Sequence, residues 1–269
     1  MRVVSWNVNR SGDLITEQAD WLESLDILPD ILLLQEVNLN RRDDWYDVLT
    51  DQLGYDTLVD TIDWGNDLGN SNGHLTATLE GYELEQQPID GEANVNGEMA
   101  AEAFGTAYPE KILITDITIG DTQIECWNVR AVPGGSYPEE KQAIFESIFT
   151  QIEADGERTR LLAGDLNTPK RELADGQAVT YGYDRPKEMQ RDAMVAELNI
   201  LKGLGHFGMI DVFRALHGYG DIDQLDVSHN GRRIDHLFAS EMLKPSKCWY
   251  APLKTVSSDH APLIADFNL

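Results

Sequence analysis

The stretch Arg160-Leu161-Leu162-Ala163-Gly164-Asp165-Leu166-Asn167-Thr168-Pro169 decides how this chain is read. A short apolar run breaks at Gly164 and then presents an acid and an amide two residues apart. Residues i and i+2 share one face of a strand, and Gly164 and Pro169 stop regular structure from continuing. A buried strand would therefore deliver Asp165 and Asn167 together at its exit. Sheet exits are where binding sites form. Taken alone, Gly-Asp after an apolar run is also an ordinary turn. Four further stretches favour the site: Val4-Ser5-Trp6-Asn7-Val8-Asn9, Leu32-Leu33-Leu34-Gln35-Glu36-Val37, Arg233-Ile234-Asp235-His236-Leu237-Phe238 and Val256-Ser257-Ser258-Asp259-His260-Ala261-Pro262. Each sets an acid, amide or imidazole at the edge of an apolar segment.

With 269 residues, 42% of them hydrophobic, and no linker or internal repeat, the chain is expected to form one large domain, 1–269, with a sizeable core. The longest apolar runs fall far short of a membrane span, and no signal peptide or anchor is visible, so a cytoplasmic location is expected. Cys126 and Cys248 sit in apolar contexts and are expected as buried free thiols, with a single bridge between them left open.

Charge is the unusual property. There are 47 acids against 21 basic residues, only eight of them lysine, for a net charge of −26. The acids are scattered, as at Asp13, Glu17, Glu83, Glu85, Glu139, Glu140, Glu153 and Asp155. Scattered acidity with scarce lysine points to a halophilic protein in a salt-saturated cytosol, not to a docking patch.

Periodicity places strands at Arg2 to Trp6, Ile31 to Gln35, Lys111 to Ile119, Thr122 to Val129, the Leu161 segment, Arg233 to Ala239, Lys247 to Tyr250 and Ala261 to Phe267. Helices are expected over Leu14 to Leu25, Arg42 to Leu53, from Pro138 through Ile152, Pro186 to Leu201, and briefly over Met209 to Leu216. Asp56 to Phe104 reads poorly, with weak strands near Asp56 to Val59 and His74 to Leu79. Strands occur both in adjacent pairs and in alternation with helices. Two mixed sheets packed together with helices outside would bury them all.

With these segments in place the sequence resembles the endonuclease/exonuclease/phosphatase superfamily, from Val4 to Phe267. The motifs that carry the resemblance are Ser5-Trp6-Asn7-Val8, Leu34-Gln35-Glu36, Gly164-Asp165-Leu166-Asn167, Arg233-Ile234-Asp235 and Ser258-Asp259-His260-Ala261-Pro262, in the family's order and rough spacing. Ile210-Asp211-Val212-Phe213-Arg214-Ala215-Leu216-His217 is similar to a segment of its apurinic-endonuclease branch. The resemblance implies an α/β four-layer α-β-β-α sandwich with the site at one edge.

The residue types also suit phosphodiester cleavage, which needs charge neutralised on a phosphorane-like transition state, water activated and the leaving oxygen stabilised. Carboxylate and amide oxygens bind hard Mg²⁺ or Mn²⁺, and no Cys/His cluster points to zinc. Glu36 is the leading metal ligand, with Asn7 beside it and Asp259 as an outer-ligand candidate. Asp165 suits either the water-activating base or a second metal ligand, and Asn167 an amide donor to a phosphoryl oxygen. His260 would touch the phosphate, oriented by Asp235. His74, His206, His217, His229 and His236 show no partner pattern and read as structural.

Two positions depart from the family. Asn9 stands where the apurinic-endonuclease branch carries an acid. In Trp127-Asn128-Val129-Arg130-Ala131-Val132-Pro133-Gly134, where relatives carry a histidine or tyrosine on the scissile phosphate, this chain offers Arg130 or, with a one-residue shift, Ala131. A fixed guanidinium could supply the same contact.

Three functions are therefore in play: a Mg²⁺-dependent nuclease with nucleic acid, DNA above all, as substrate; a phosphatase or phosphodiesterase for a small or lipid-derived ester; and a binding module that recognises phosphate without cleaving it. A nuclease would carry a basic or aromatic rim, for which Arg10, Arg41, Arg42, Arg171, Arg185, Trp64 and Tyr183 are loop candidates.

The acidity makes a prediction of its own. At ~1 M salt the Debye length is about 3 Å, so repulsion among scattered acids, and between them and DNA, disappears. Melting temperature and turnover should both rise from dilute buffer to molar KCl at fixed Mg²⁺. A protein most stable and most active in dilute buffer would contradict the halophilic reading.

Overall fold

A computed structural model describes residues 1–10, 13–65, 72–154, 156–219 and 227–269. In chain order the elements are β1 (Arg2–Asn7), α1 (Ile15–Glu23), β2 (Ile31–Asn38), α2 (Arg42–Asp47), β3 (Tyr55–Asp60), β4 (Asn72–Leu79), β5 (Glu83–Gln86), α3 (Gly97–Phe104), β6 (Ile112–Ile119), β7 (Thr122–Arg130), α4 (Pro138–Ala154), β8 (Arg160–Asp165), β9 (Arg171–Glu172), β10 (Ala178–Val179), α5 (Lys187–Leu201), β11 (Met209–Asp211), α6 (Val212–His217), β12 (Asp235–Ser240), β13 (Pro245–Tyr250) and β14 (Leu263–Phe267).

Two six-stranded sheets result, ordered β13-β14-β1-β2-β4-β3 and β11-β12-β8-β7-β6-β5. Within each, one pair is parallel, β1 with β2 and β7 with β8, and the other pairs are antiparallel. The strands alternate, so each sheet has two apolar faces and needs two partners. Val3, Ile31 and Leu33 of the first sheet meet Cys126, Leu161, Ala163 and Leu237 of the second. On the outer face of the first sheet, Val4, Trp6, Leu32 and Leu34 pack on Leu22 of α1 and Trp45 of α2. Trp127, Val129, Leu162 and Phe238 pack outward on α3, α4 and α5. These three interfaces make the expected four-layer sandwich.

Several segments departed from their reading. Met209 to Leu216 is not one helix. Met209 and Ile210 pair with Ser240 and Ala239 of β12, and the Asp211 carboxylate then accepts the Arg214 N–H and starts α6. β5 was not expected because Leu84 is its one buried side chain and its register comes entirely from β6. α3 was also missed, although Asn96 caps its start and Gly105, at φ 58°, closes it.

Cys126 and Cys248 are both buried and free. Asp13, Glu17, Glu83, Glu85, Glu139 and Glu153 are exposed, while Asp155 lies outside the described residues. Among the described residues no helix is long and apolar enough to cross a membrane.

Gly164 is a fixed point of this architecture. Its φ is +141°, and a Cβ there would sit 1.8 Å from the carbonyl oxygen of Val129 on the neighbouring strand. Gly164→Ala is therefore expected to destabilise by more than ~4 kcal/mol, the range that only severe backbone or packing conflicts reach. Urea unfolding would measure it, and a loss near 1 kcal/mol would show that β7 and β8 can separate at little cost.

Candidate active site

Strand parity selects which polar side chains enter the gap between the sheets. Cys126 faces that gap, so Asn128 and Arg130 do too. Leu161 and Ala163 carry Asp165 with them, Leu237 and Ala239 carry Asp235, and Val3 carries Ser5 and Asn7. Arg130 is registered beside Asp165, and Asp165 beside Asp235, so three neighbouring strands present one row across the second sheet. Ala131 packs in the helix-side cluster instead, so of the two it is Arg130 that faces the gap.

Glu36 reaches the gap by another route. The pairing of β2 with β4 shifts between Leu34 and Val37, and Glu36 takes a left-handed φ of 59°. A bulge of this kind re-aims a side chain. Here it brings the Glu36 carboxylate to Asn7, whose Nδ2 donates to Glu36 Oε1 at 3.0 Å and to Asp165 Oδ2 at 3.1 Å. Non-glycine residues at positive φ are uncommon and cluster at functional sites; Asn9, Arg10 and Asn167 share the feature.

Around this bridge the charges interlock. Arg130 Nε lies 2.7 Å from Glu36 Oε1 and 3.6 Å from Asp165 Oδ2. The short approach is an ion pair without hydrogen-bond alignment, since Nε finds no partner in the right direction. Arg10 Nε donates to Glu36 Oε2 at 2.8 Å. His260 turns Nδ1 to Asp235 Oδ2 at 2.9 Å and Nε2 to Asp165 Oδ2 at 4.0 Å. Its loop is tied to β1, because Trp6 Nε1 donates to the His260 carbonyl and Ser258 Oγ to the Asn7 carbonyl.

Not every expected residue converges. Asp259 is half-exposed and lies 3.6 Å from His229 Nδ1. The Asn167 side-chain amide is already committed to the Ala131 carbonyl at 2.8 Å and to Asp165 Oδ2 at 3.0 Å. Of the rim candidates, Arg10 joins the site, whereas Arg41 pairs with Asp13 and Asp44 and Arg42 with Asp60.

Two residues were missed. His229 stacks on the His260 ring with centroids 4.2 Å apart. It lies on the turn before Arg233, and nothing in its neighbours signals the stacking. Lys141, from α4, donates Nζ to the Asn167 carbonyl at 2.8 Å while pairing with the buried Glu197, which also takes the Thr168 hydroxyl. A buried lysine inside an amphipathic helix was the available signal. His236 and His74 are structural: their Nε2 atoms meet the Thr168 and Lys111 carbonyls.

The electrostatics separate two carboxylates. Burial would raise Glu36, but Arg130, Asn7 and Arg10 hold it below its usual range. Asp165 is pushed up, first by burial and then by Asp235. Burial works against a charged His260, yet Asp235 and then Asp165 outweigh it and lift the imidazole to about 10. Such opposed shifts among touching groups are typical of acid–base sites.

Among the described acids and histidines, Asp165, Asp235 and His260 hold their ligand atoms within 4.8 Å of one another, as do His229, Asp259 and His260. In both sets His260 bears a proton and is engaged by Asp235, so neither suits an ion as it stands. Glu36 offers the hard carboxylate oxygens that Mg²⁺ or Mn²⁺ prefers and is not bound to an imidazole, whereas Asn7 turns its Nδ2 to that carboxylate and keeps its Oδ1 on the Asn9 N–H at 2.9 Å, so it would ligate only with its amide turned over. The Glu36 carboxylate therefore fits a divalent cation once a guanidinium yields.

A sandwich of two mixed sheets thus carries a buried acid–imidazole row at its edge. The Endonuclease/Exonuclease/phosphatase family matches residues 4–260, and this chain belongs to that family, whose members are hydrolases acting on phosphoester bonds. No curated protein sequence matches it. Among solved structures, humanized D. rerio TDP2 carrying 14 mutations superposes with TM-score 0.66 at 16% identity, covering 100% of this chain and 99% of that one. AP endonuclease LMAP from Leishmania major gives 0.64 at 18% identity, covering 98% and 86%. D. rerio TDP2 complexed with single strand DNA product gives 0.61 at 16%, covering 100% and 99%. At such identities the likeness is one of fold.

The His260 pair is open to direct titration. Because its folded pKa is raised from 6.5 to about 10, its stabilising contribution is complete below about pH 6.5 and is lost as pH rises through about 10. NMR should show His260 still protonated at pH 8, and Asp235→Asn should return its midpoint to the ordinary imidazole range or below. A His260 midpoint near 6.5 in the parent protein would refute the ion pair.

Proposed function

We propose that this chain is a Mg²⁺-dependent, or Mn²⁺-dependent, phosphodiesterase acting on nucleic acid, as an endonuclease or exonuclease on DNA. The observation that carries this reading is the pairing of a raised acid, Asp165, with a charged imidazole, His260, 4.0 Å away and backed by Asp235. The DNA product bound to D. rerio TDP2 supports the substrate class.

Glu36, with Asn7 once its amide turns over, would hold the cation, which would supply positive charge to the phosphoryl oxygens. Asp165, lifted by burial, accepts the proton of the attacking water. His260 meets the phosphate as an imidazolium and donates from Nε2, while Asp235 on Nδ1 fixes the ring. The terminal nitrogens of Arg130 make no hydrogen bond among the described residues, which leaves them for a phosphate oxygen. Asn167 reaches that oxygen by exchanging its bond to Ala131. Asp259 is at most an outer ligand. We take residues 1–269 as one domain, and the exposed acids support a salt-rich cytoplasmic setting.

The net charge of −26 favours a second reading, a small phosphoester, because a compact substrate meets less repulsion than a polyanion. Purified protein with Mg²⁺ or Mn²⁺ in high salt, offered plasmid, abasic duplex, single strands and small phosphoesters, separates the two. Turnover of small esters alone would replace the nuclease assignment, and phosphate binding without any turnover would leave only the binding module.

Within the leading reading, Glu36→Gln should abolish divalent-cation binding in calorimetry. Asp165→Asn and His260→Ala should each cost at least roughly a hundredfold in rate with the fold intact. Arg130→Ala should weaken phosphate binding. Near-parental turnover in either of the first two rate variants would remove that residue from the mechanism.

A further inference from the structure

We infer that Arg10 is a placeholder on Glu36: a divalent cation enters by exchange with the Arg10 guanidinium, while Arg130 stays. The inference rests on the metal assignment proposed above. Both oxygens of Glu36 are covered in this structure. Oε1 faces Asn7 Nδ2 at 3.0 Å and Arg130 Nε at 2.7 Å, and Oε2 accepts from Arg10 Nε at 2.8 Å. Two guanidiniums thus bring to one carboxylate the charge that a divalent ion would bring. A cation cannot take Glu36 without displacing one of them.

The two arginines are not equivalent. The Arg130 side chain is 9% exposed and also neutralises Asp165 at 3.6 Å, so its departure would take a guanidinium from a second buried carboxylate. Arg10 is 54% exposed and contacts Glu36 alone among the described acids. Its main chain is independently anchored, because its N–H donates to the Glu36 carbonyl at 3.1 Å. The side chain can therefore swing into water while the backbone stays on β2, and little desolvation or refolding opposes the move.

The experiment is calorimetric titration of Mn²⁺ into the parent protein, Arg10→Ala, Arg10→Lys and Glu36→Gln at one fixed ionic strength. If the exchange operates, Arg10→Ala binds Mn²⁺ about fivefold tighter than the parent, the scale of a half-exposed ion pair. Arg10→Lys falls between them, and Glu36→Gln does not bind. Melting temperatures with and without Mn²⁺ give a second readout that needs no substrate, and Arg10→Gln serves if the alanine variant is poorly folded. Equal Mn²⁺ affinity in the parent and Arg10→Ala would overturn the exchange while leaving the metal assignment standing. No Mn²⁺ binding in either would overturn both, making the two guanidiniums permanent occupants.

Discussion

Three carboxylates, Glu36, Asp165 and Asp235, are buried in the gap between two sheets, and the structure around them is governed by the need to neutralise them. An ionised acid removed from water is tolerated only with a counter-charge and hydrogen bonds, and breaking such a pair costs about 3–5 kcal/mol. Each acid meets the condition differently. Glu36 has two guanidiniums, Asp235 has an imidazolium, and Asp165 has Asn7, Asn167 and a share of Arg130. Since these partners come from both sheets and from the His260 loop, the charges fasten the sandwich at the edge where its apolar layer ends.

Polarity between the sheets changes in steps toward that edge. The deepest layer is aliphatic, built on residues such as Val3, Leu33, Leu161 and Leu237. Next comes an amide layer: Gln35 Nε2 donates to Asn128 Oδ1 at 2.8 Å, and Asn128 Nδ2 returns to the carbonyls of Leu34 and Leu75. The charged row follows, then solvent. The amides exclude water from behind the acids while joining the two sheets, so the charged groups keep fixed positions in a poorly screened setting.

A second buried network supports the first from the side. Arg233, two residues before Asp235 in the chain, clamps Glu172 and Asp211, and Arg214 of α6 shares Glu172. Burial opposes the charge on Asp211 and Glu172, yet Arg233 for the first and Arg214 with Arg233 for the second hold both carboxyls low. This ties β9, β11 and α6 to the start of β12. Arg233 therefore belongs to the same motif as Asp235 for a mechanical reason: it fixes the strand whose next residue but one orients the imidazole.

The sequence by itself determined the strands, the layers and most of the residues gathered at the candidate site, because all are written in local patterns. Apolar runs of strand length that end in Asn7, Glu36, Asp165 or Asp235 announce a buried strand and its polar exit at once, and their order in the chain carried the family resemblance. What lies between Asp56 and Phe104 was poorly legible, since β5 exists by pairing with β6 and not by its own pattern. Tertiary structure alone decided how the side chains meet. The bulge at Glu36 follows from the register of β2 against β4, and the choice of Arg130 over Ala131 follows from which face of β7 meets the other sheet. Arg10 on Glu36, His229 on His260 and Lys141 on Asn167 are contacts across 26, 31 and 26 positions of chain. No local period encodes such contacts; they arise when strands and loops remote in sequence are brought to one edge and their charges must find partners there.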